Sequence, residues 1–487
     1  MQSSHKLTTW LFLRLLGVIF CIAFVSLGTQ ILGLAGSQGI LPTPEFLKGV
    51  EEFYGAKRFW VLPTLCWLNG SDAFLLFLCW CGAALSILLI ADIFPRMMLC
   101  LLWSFYLSLS GVCQEFLGFQ WDILLLETAF LAIFLAPGHV LPKKPLPEPS
   151  IELIWLLRWL VFRLMFESGF VKLASGDETW RNLTALTYHY TTQPLPNILS
   201  WYVYQWPAFI HKLSVLIMLV FELMVPFFIF FGRWGRRMAC GGFVILQCFI
   251  LLTGNYCFFN YLTIILCLSL IDDEDVRRIF PQKVNADLNS EEGHRRQNPF
   301  YLWGTRVFAA VMVVLSVGQF GAQNFRGHFL PQPLRVVQGL IEPFRSINGY
   351  GLFAVMTTKR PEIIIEGSRD GKTWLPYEFK WKPGRLDRAP GWVAPHQPRL
   401  DWQMWFAALS SYQYNKWLIR FVYQLLKGSA PVLGLLDKNP FPDRPPQYIR
   451  ALLYDYKFTD FETKKNTGQW WQREYEAPYC PPLSLKE

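Results

Sequence analysis

Residues 11–34 read LFLRLLGVIFCIAFVSLGTQILGL, an apolar run interrupted by one charge, Arg14. A helix of about 20 largely apolar residues crosses the hydrocarbon core of a bilayer. The run is too long for the h-region of a cleavable signal peptide, and no clean small-residue cleavage site follows it. The sequence therefore predicts a retained membrane span. Working outward, similar runs occur near 73–91, 97–117, 121–136, 151–173, 207–231, 238–253, 256–271 and 300–319. Counted with the first they give a multi-pass α-helical membrane protein of about nine spans, the fourth, seventh and eighth being short.

Composition agrees. Of 487 residues 53% are hydrophobic and 17% charged, against about 25% charged for soluble domains. The 34 Gly and 32 Pro are dispersed, which excludes collagen-like and low-complexity chains. The net charge of +9 sits between the apolar runs, where Lys and Arg orient spans. Arg96, Lys143, Lys144, Arg233, Arg236, Arg237, Arg277, Arg278, Lys283, Arg295 and Arg296 fall in alternate loops, so that side is expected to be cytosolic. An odd number of spans then carries the C-terminal region to the lumen or periplasm. Nucleic-acid binding has no positive support in these topogenic charges.

Seven of the eleven cysteines, Cys21, Cys79, Cys81, Cys100, Cys240, Cys248 and Cys267, lie in apolar runs and read as small hydrophobes. Cys66, Cys113, Cys257 and Cys480 are the ones that could face an oxidising compartment. No C-x-x-C and no zinc-spaced Cys/His cluster occurs, so neither a built-in dithiol nor a metal or cofactor is expected.

From about Phe320 spanning runs end, and the expected organisation is a membrane domain over 1–319 and a Trp-rich soluble α+β domain over 320–487. Ile363 and Ile365 alternate with Glu362, Ile364 and Glu366, Asp370-Gly371 makes a turn, and Tyr377, Phe379 and Trp381 alternate with polar residues. This predicts a hairpin with one buried face and one wet face. Asp401 is expected to cap a helix bearing Trp402, Trp405, Phe406 and Leu409, a second helix is expected over 417–426 before Gly428, and Leu452, Tyr454, Tyr456 and Phe458 suggest another strand. Trp374, Trp381, Trp402 and Trp405 are the candidate client-gripping aromatics, although side chains at such spacing more often form core.

Ionisable groups at membrane depth are costly and mark candidate sites. The predicted topology gathers Glu115, Asp122, Glu127, Lys172, Asp177, His189 and Asn255 toward the outer leaflet, where they could line one polar cavity. His189 and a carboxylate are suitable acid and base types. The same residues could equally be buried ion pairs and caps that fix helix order. Arg163 and Glu167, four apart on a helix, are expected to pair with each other. Asn69 and Asn182 begin sequons on the outer side and are candidate glycosylation positions. No phosphate-cradling loop, G-x-S-x-G or H-E-x-x-H occurs, and no catalytic residue is assigned.

Several long segments are similar to one family, the lipase maturation factors: GFQWDILLLETAFLAIFLAP (118–137), RLMFESGFVKLASGDETWRNLTALTYHYTTQPLP (163–196), GNYCFFNYLTIILCLSL (254–270) and NGYGLFAVMTTKRPEIIIEGSRDGKTW (348–374). The likeness continues through APHQPRLDWQMWFAAL (394–409) and NPFPDRPPQYIRALLYDYKFTD (439–460). Glu167 and Asn182 stand where a small residue and an Asp are expected in relatives. The resemblance implies a multi-pass protein of the endoplasmic reticulum membrane whose lumenal parts assist folding and assembly of secreted dimeric lipases such as lipoprotein lipase. It gives no catalytic residues. In a bacterium the same architecture would be an inner-membrane protein with another exported client. Expected partners are membrane lipid, the immature lipase and recruited folding oxidoreductases. The alternative is a membrane-embedded enzyme using the carboxylate/His cavity on a lipid or lipid-linked substrate.

Overall fold

The computed structural model describes residues 4–142, 146, 148–277, 299–325 and 330–485. Of the basic residues used for orientation, Lys143, Lys144, Arg278, Lys283, Arg295 and Arg296 lie outside the described residues. The first two-thirds form a helical bundle: α1 (Lys6–Gly28), α2 (Asp72–Ile90), α3 (Pro95–Val112), α4 (Gln120–Leu135), α5 (Ile151–Ala174), α6 (Ala185–Thr192), α7 (Ala208–Leu223), α8 (Gly232–Thr253), α9 (Phe259–Leu266) and α10 (Pro299–Asn324). Among the described residues, five stretches are long and apolar enough to cross a membrane: α1, α2, Ala208–Phe230, α8 and α10. The other four expected spans are helical. However, α4 has only 16 residues, Phe259–Leu270 is also short, α3 begins at Pro95-Arg96, and α5 carries Arg158, Arg163, Glu167 and Lys172.

Helix α1 is central and packs along α2, an approach that depends on small residues as membrane helix pairs commonly do. A Cβ on Gly82 would lie 2.6 Å from the Phe24 ring. Helix α1 also sets a ruler. Near its start the Thr8 amide donates to Asp273 (2.9 Å), and near its end Ser26 Oγ accepts the Gln397 amide (3.0 Å). Eighteen helical residues separate these contacts, about 27 Å of rise, close to the ~30 Å of a hydrocarbon core. Around the first end lie Arg233, Arg236 and Arg237 with Asp272, Glu274 and Asp275. At the other end sits the C-terminal unit.

That unit contains a four-stranded antiparallel sheet, order β2-β1-β5-β6, from β1 (Pro361–Ser368), β2 (Leu375–Pro376), β5 (Tyr448–Phe458) and β6 (Trp471–Leu483). A two-stranded sheet pairs β3 (Glu378–Phe379) with β4 (Leu436–Lys438). The expected hairpin exists, with Glu366 opposite Pro376, and its turn is held by Asp370, whose carboxylate accepts the Lys372 and Thr373 amides at 2.8 and 2.7 Å. Its second arm stops after two residues and the chain leaves for β4. The main partner of β1 is β5, Ile363 opposite Leu453.

Neither face of β1 is wet. Helix α11 (Arg399–Ala408) covers one face, and on the other Ile364, Tyr456, Phe458 and Trp471 pack around Trp201 from the bundle. Glu362 is likewise buried, so the expectation of a solvated face fails for it: Arg360 and Lys382 pair with it at 2.7 and 2.9 Å. Asp401 does not cap α11: it lies inside the first turn and accepts the Trp381 and Lys382 amides at 2.8 and 2.9 Å. Helix α12 (Lys416–Lys427) ends at Gly428, whose φ of +70° suits glycine. The last membrane helix runs to Asn324, so the expected boundary at 319/320 falls inside it. All eleven cysteines are free thiols, and Cys66, Cys113, Cys257 and Cys480 are buried.

Candidate functional site

Most of the polar residues singled out in the sequence lie where the bundle meets the C-terminal unit. Phe119 is extended, α4 starts after it, and this places Asp122 in the first turn with its side chain wholly buried. Arg399 of α11 meets it as a fork: Nη1 to Oδ2 at 3.0 Å and Nη2 to Oδ1 at 2.9 Å. The Tyr106 hydroxyl donates to Oδ1 at 2.5 Å, and Arg399 Nη1 also donates to the Phe116 carbonyl at 2.6 Å. Two parallel charge-assisted bonds fix geometry as well as neutralising charge.

One turn deeper, Glu127 receives Arg163, the Asn348 amide at 2.9 Å, Asn348 Nδ2 at 3.0 Å and the Tyr350 hydroxyl at 2.9 Å. Arg163 also donates to the Asn348 carbonyl at 2.9 Å. Glu167 accepts the Tyr350 amide at 2.8 Å. The expected Arg163–Glu167 pair is thus replaced: Arg163 bonds Glu127 across helices, and both residues of α5 hold the segment 348–350. Asn255 uses its whole amide. Its Oδ1 accepts the Val393 and Ala394 amides at 2.8 and 3.1 Å, and its Nδ2 donates to the Gly391 and Leu195 carbonyls at 2.9 and 3.1 Å. Asp177 accepts the Met356 amide at 2.6 Å and caps the short helix Glu178–Arg181.

Arg360 works from the opposite direction. Buried beside Glu362 at 2.7 Å, its guanidinium donates to the carbonyls of Thr191, in the last turn of α6, and of Gln193 and Pro194, in the loop that follows. Trp402 and Trp405 belong to the same joint. Trp402 packs on Trp121 with ring centres 4.8 Å apart, and Trp405 Nε1 donates to the Thr192 carbonyl at 2.8 Å. Both are buried and present no surface to a partner, which corrects their reading as exposed client contacts. Trp381 is half-buried, and half-buried Trp374 lies under the Arg450 guanidinium, 4.2 Å from ring centre to Cζ.

The seven polar residues therefore do not line one cavity. Glu115 is exposed and contributes its backbone carbonyl to Gln403. Asp122, Glu127, Asp177 and Asn255 are consumed by the joint. Lys172 and His189 stand apart, at a cavity of about 310 Å³ between α5, α7, α8 and α9. Lys172 Nζ bonds both Glu222 oxygens, at 2.9 and 2.8 Å, and the Ser168 carbonyl at 3.0 Å. Glu222 was not singled out in the sequence, although a carboxylate inside an apolar run is the ordinary signal for such a partner. His189 Nε2 lies 2.8 Å from the Tyr256 hydroxyl, which donates to Gln193 Oε1 at 2.8 Å. Burial, with Lys172 adding, holds the imidazole down to about 4, so it is neutral at pH 7. This chain of hydrogen bonds ends on an amide and reaches no nucleophile. Asn69 and Asn182 are both exposed.

Arg399, Tyr106, Asn348, Tyr350 and Arg360 escaped sequence reading because each is meaningful only through a partner far away in the chain. The comparisons cover both halves of this arrangement. Residues 7–278 match the family described as "Lipase maturation factor transmembrane domain", and residues 346–481 match "Lipase maturation factor C-terminal domain". The chain is 35% identical to lipase maturation factor 2 of Xenopus laevis, over 100% of this chain and 84% of that protein. Against the human proteins it is 34% identical to lipase maturation factor 1 and 33% identical to lipase maturation factor 2, over 99% of this chain and 89% and 84% of theirs. No solved structure matches.

Proposed function

The chain belongs to the lipase maturation factor family, and from that premise we propose that it is a membrane-embedded, chaperone-like factor for the maturation of secreted dimeric lipases. The observation that carries this reading is the joint. The two family-matched parts are locked by the buried Arg399–Asp122 ion pair and by the hydrogen bonds of Asn348 and Tyr350 to Glu127 and Glu167, so the C-terminal unit is a fixed platform at one end of the bundle. A platform of this kind holds a partly folded client against aromatic surface while subunits dock, since incomplete folds expose apolar area. Trp392, Tyr414, Phe461 and Tyr475, four of the exposed aromatics of the unit, with half-buried Trp374, are the proposed client contacts.

On this reading the sheet end faces the lumen of the endoplasmic reticulum, and the end bearing Arg233, Arg236 and Arg237 faces the cytosol. The nine-span count and the division into a bilayer part and a lumenal part belong to the same proposal, with the boundary moved beyond Asn324. The enzyme alternative finds no support here: Asp122 and Glu127, two of its carboxylates, are saturated by Arg399, Arg163, Asn348 and Tyr350, and His189, its other acid or base, stands apart from both at the cavity.

The test is complementation. Cells lacking their own lipase maturation factors receive this chain and a dimeric lipase, and secreted active dimer is measured. Restoration supports the reading; normal expression and membrane insertion with no secreted activity removes it.

A further inference from the structure

The cavity beside Lys172 and His189 borders the joint, with Leu352 and Phe353 in its wall, but uses neither the Arg399–Asp122 nor the Arg163–Glu127 pair. Its walls are apolar, and its mouth lies between α7 and α8, where Ile217, Ile245 and Phe249 are 46%, 51% and 62% exposed on helices apolar enough to cross a membrane. A mouth on those faces opens to lipid rather than to water. Its polar lining is unevenly satisfied. Lys172 and Glu222 neutralise each other, so the site offers no net charge to an ion. Asn260 is 1% exposed and gives Nδ2 to Gln247 Oε1 at 2.5 Å, leaving its buried Oδ1 with no partner. Because the Tyr256 hydroxyl donates to Gln193, it must accept from His189 Nε2. The bare, buried Nδ1 of His189 is then also an acceptor.

Two unfilled acceptors in an apolar slot call for donors on an apolar ligand, since a buried polar atom left unpaired is costly. The volume is at the low end of the ~300–1,000 Å³ of small-molecule sites, room for one chain and a small head. We propose that this cavity binds a single-chain neutral lipid bearing hydroxyl groups, the class of monoacylglycerols, entering from the bilayer between α7 and α8 with its hydroxyls toward Asn260 Oδ1 and His189 Nδ1.

The experiment is equilibrium binding of radiolabelled 1-oleoylglycerol to the full chain in detergent, with unlabelled 1-oleoylglycerol, methyl oleate, oleate and a two-chain phosphatidylcholine as competitors. Saturable binding of one molecule per chain is expected, with each of the other three competing at least tenfold less well. Ile217→Trp, which narrows an exposed mouth and leaves the core alone, should weaken binding tenfold or more. Asn260→Leu should weaken 1-oleoylglycerol and bring methyl oleate level with it. Absence of saturable binding, equal competition by methyl oleate, preference for oleate or for the phosphatidylcholine, or indifference to Ile217→Trp would each overturn the proposal. Should Asn260→Leu fail to fold, the competitor series and Ile217→Trp still decide.

Discussion

Arg399 and Asp122 are 277 residues apart in the chain and meet as a two-pronged ion pair, both side chains sealed from solvent. A helix of the bundle and a helix beneath a β-sheet are thereby welded at one point. Breaking a buried pair by removing one partner leaves an uncompensated charge and costs about 3–5 kcal/mol, whereas replacing both with apolar groups can be close to neutral.

Asp122→Asn and Arg399→Met should therefore each loosen the C-terminal unit, seen as faster proteolysis between residues 346 and 481 in detergent-solubilised protein. The double change Asp122→Leu with Arg399→Met should recover much of the protection. A double variant more sensitive than either single, by the sum of their effects, would mean that the two residues act independently and overturn the pairing.

The joint and the cavity separate the two readings of the polar residues. Glu127→Gln removes a charge that Arg163, Asn348 and Tyr350 all address, so it should reduce protein level and lipase maturation together. His189→Gln touches neither buried ion pair and leaves Tyr256 an amide to bond, so it should leave membrane insertion and lipase maturation within about twofold of the parent. Secretion of active lipase, normalised to the level of this chain, is the measurement. Loss of maturation at unchanged level in His189→Gln would restore a chemical role.

Which of these features the sequence discloses follows from how far each signal reaches. Helices at all nine expected runs, the β1 hairpin, α12 before Gly428 and the strand around Tyr454 rest on local periodicity and turn residues, which a chain carries on its face. The pairing of Glu127 with Arg163 instead of Glu167 with Arg163 is invisible locally, because an i, i+4 neighbour always looks like the partner until another helix supplies a better one. The wet face expected for Glu362 and Glu366 failed for Glu362 for the same reason. Arg360, two residues earlier, and Lys382 neutralise Glu362, at 2.7 and 2.9 Å, and let it be buried.

Acid should destabilise the joint through His396. Burial, with Arg399 and then Lys380 adding, holds this imidazole down to about 4, against an ordinary value of 6.5. The unfolded chain then binds a proton that the folded chain refuses, so stability is complete above about pH 6.5 and falls as pH drops toward 4. Melting temperature should decline across that window, and His396→Gln, which keeps a polar partner for Ser26 Oγ at 2.9 Å, should flatten the decline. His189 adds a parallel contribution. An unchanged slope in the double variant His189→Gln with His396→Gln would place the acid sensitivity elsewhere.

Orientation is open to direct measurement. With the sheet end lumenal, exposed Asn69 should accept a glycan, and Asn69→Gln should remove one endoglycosidase-sensitive step in mobility. A reporter fused after Glu487 should be shielded from the cytosol in intact cells. Cytosolic access to that reporter would invert the bundle and take the client platform out of the secretory compartment.

The tryptophans divide by what covers them. Trp402 is wedged against Trp121 and near Tyr256, so Trp402→Ala should cost about 3–5 kcal/mol, as large-to-small changes in cores do. It should lose lipase capture only along with folded protein. Trp374 touches Arg450 at the surface of the sheet, where truncation removes a cation–π contact of about 0.5–1 kcal/mol and little packing. Trp374→Ala should therefore leave the melting temperature within a few degrees while weakening recovery of immature lipase in a pull-down with the full chain. Undiminished capture by Trp374→Ala would shift the contact to Trp392, Tyr414, Phe461 and Tyr475, and undiminished capture by the quadruple alanine variant of those four as well would remove the proposed aromatic contacts from client binding.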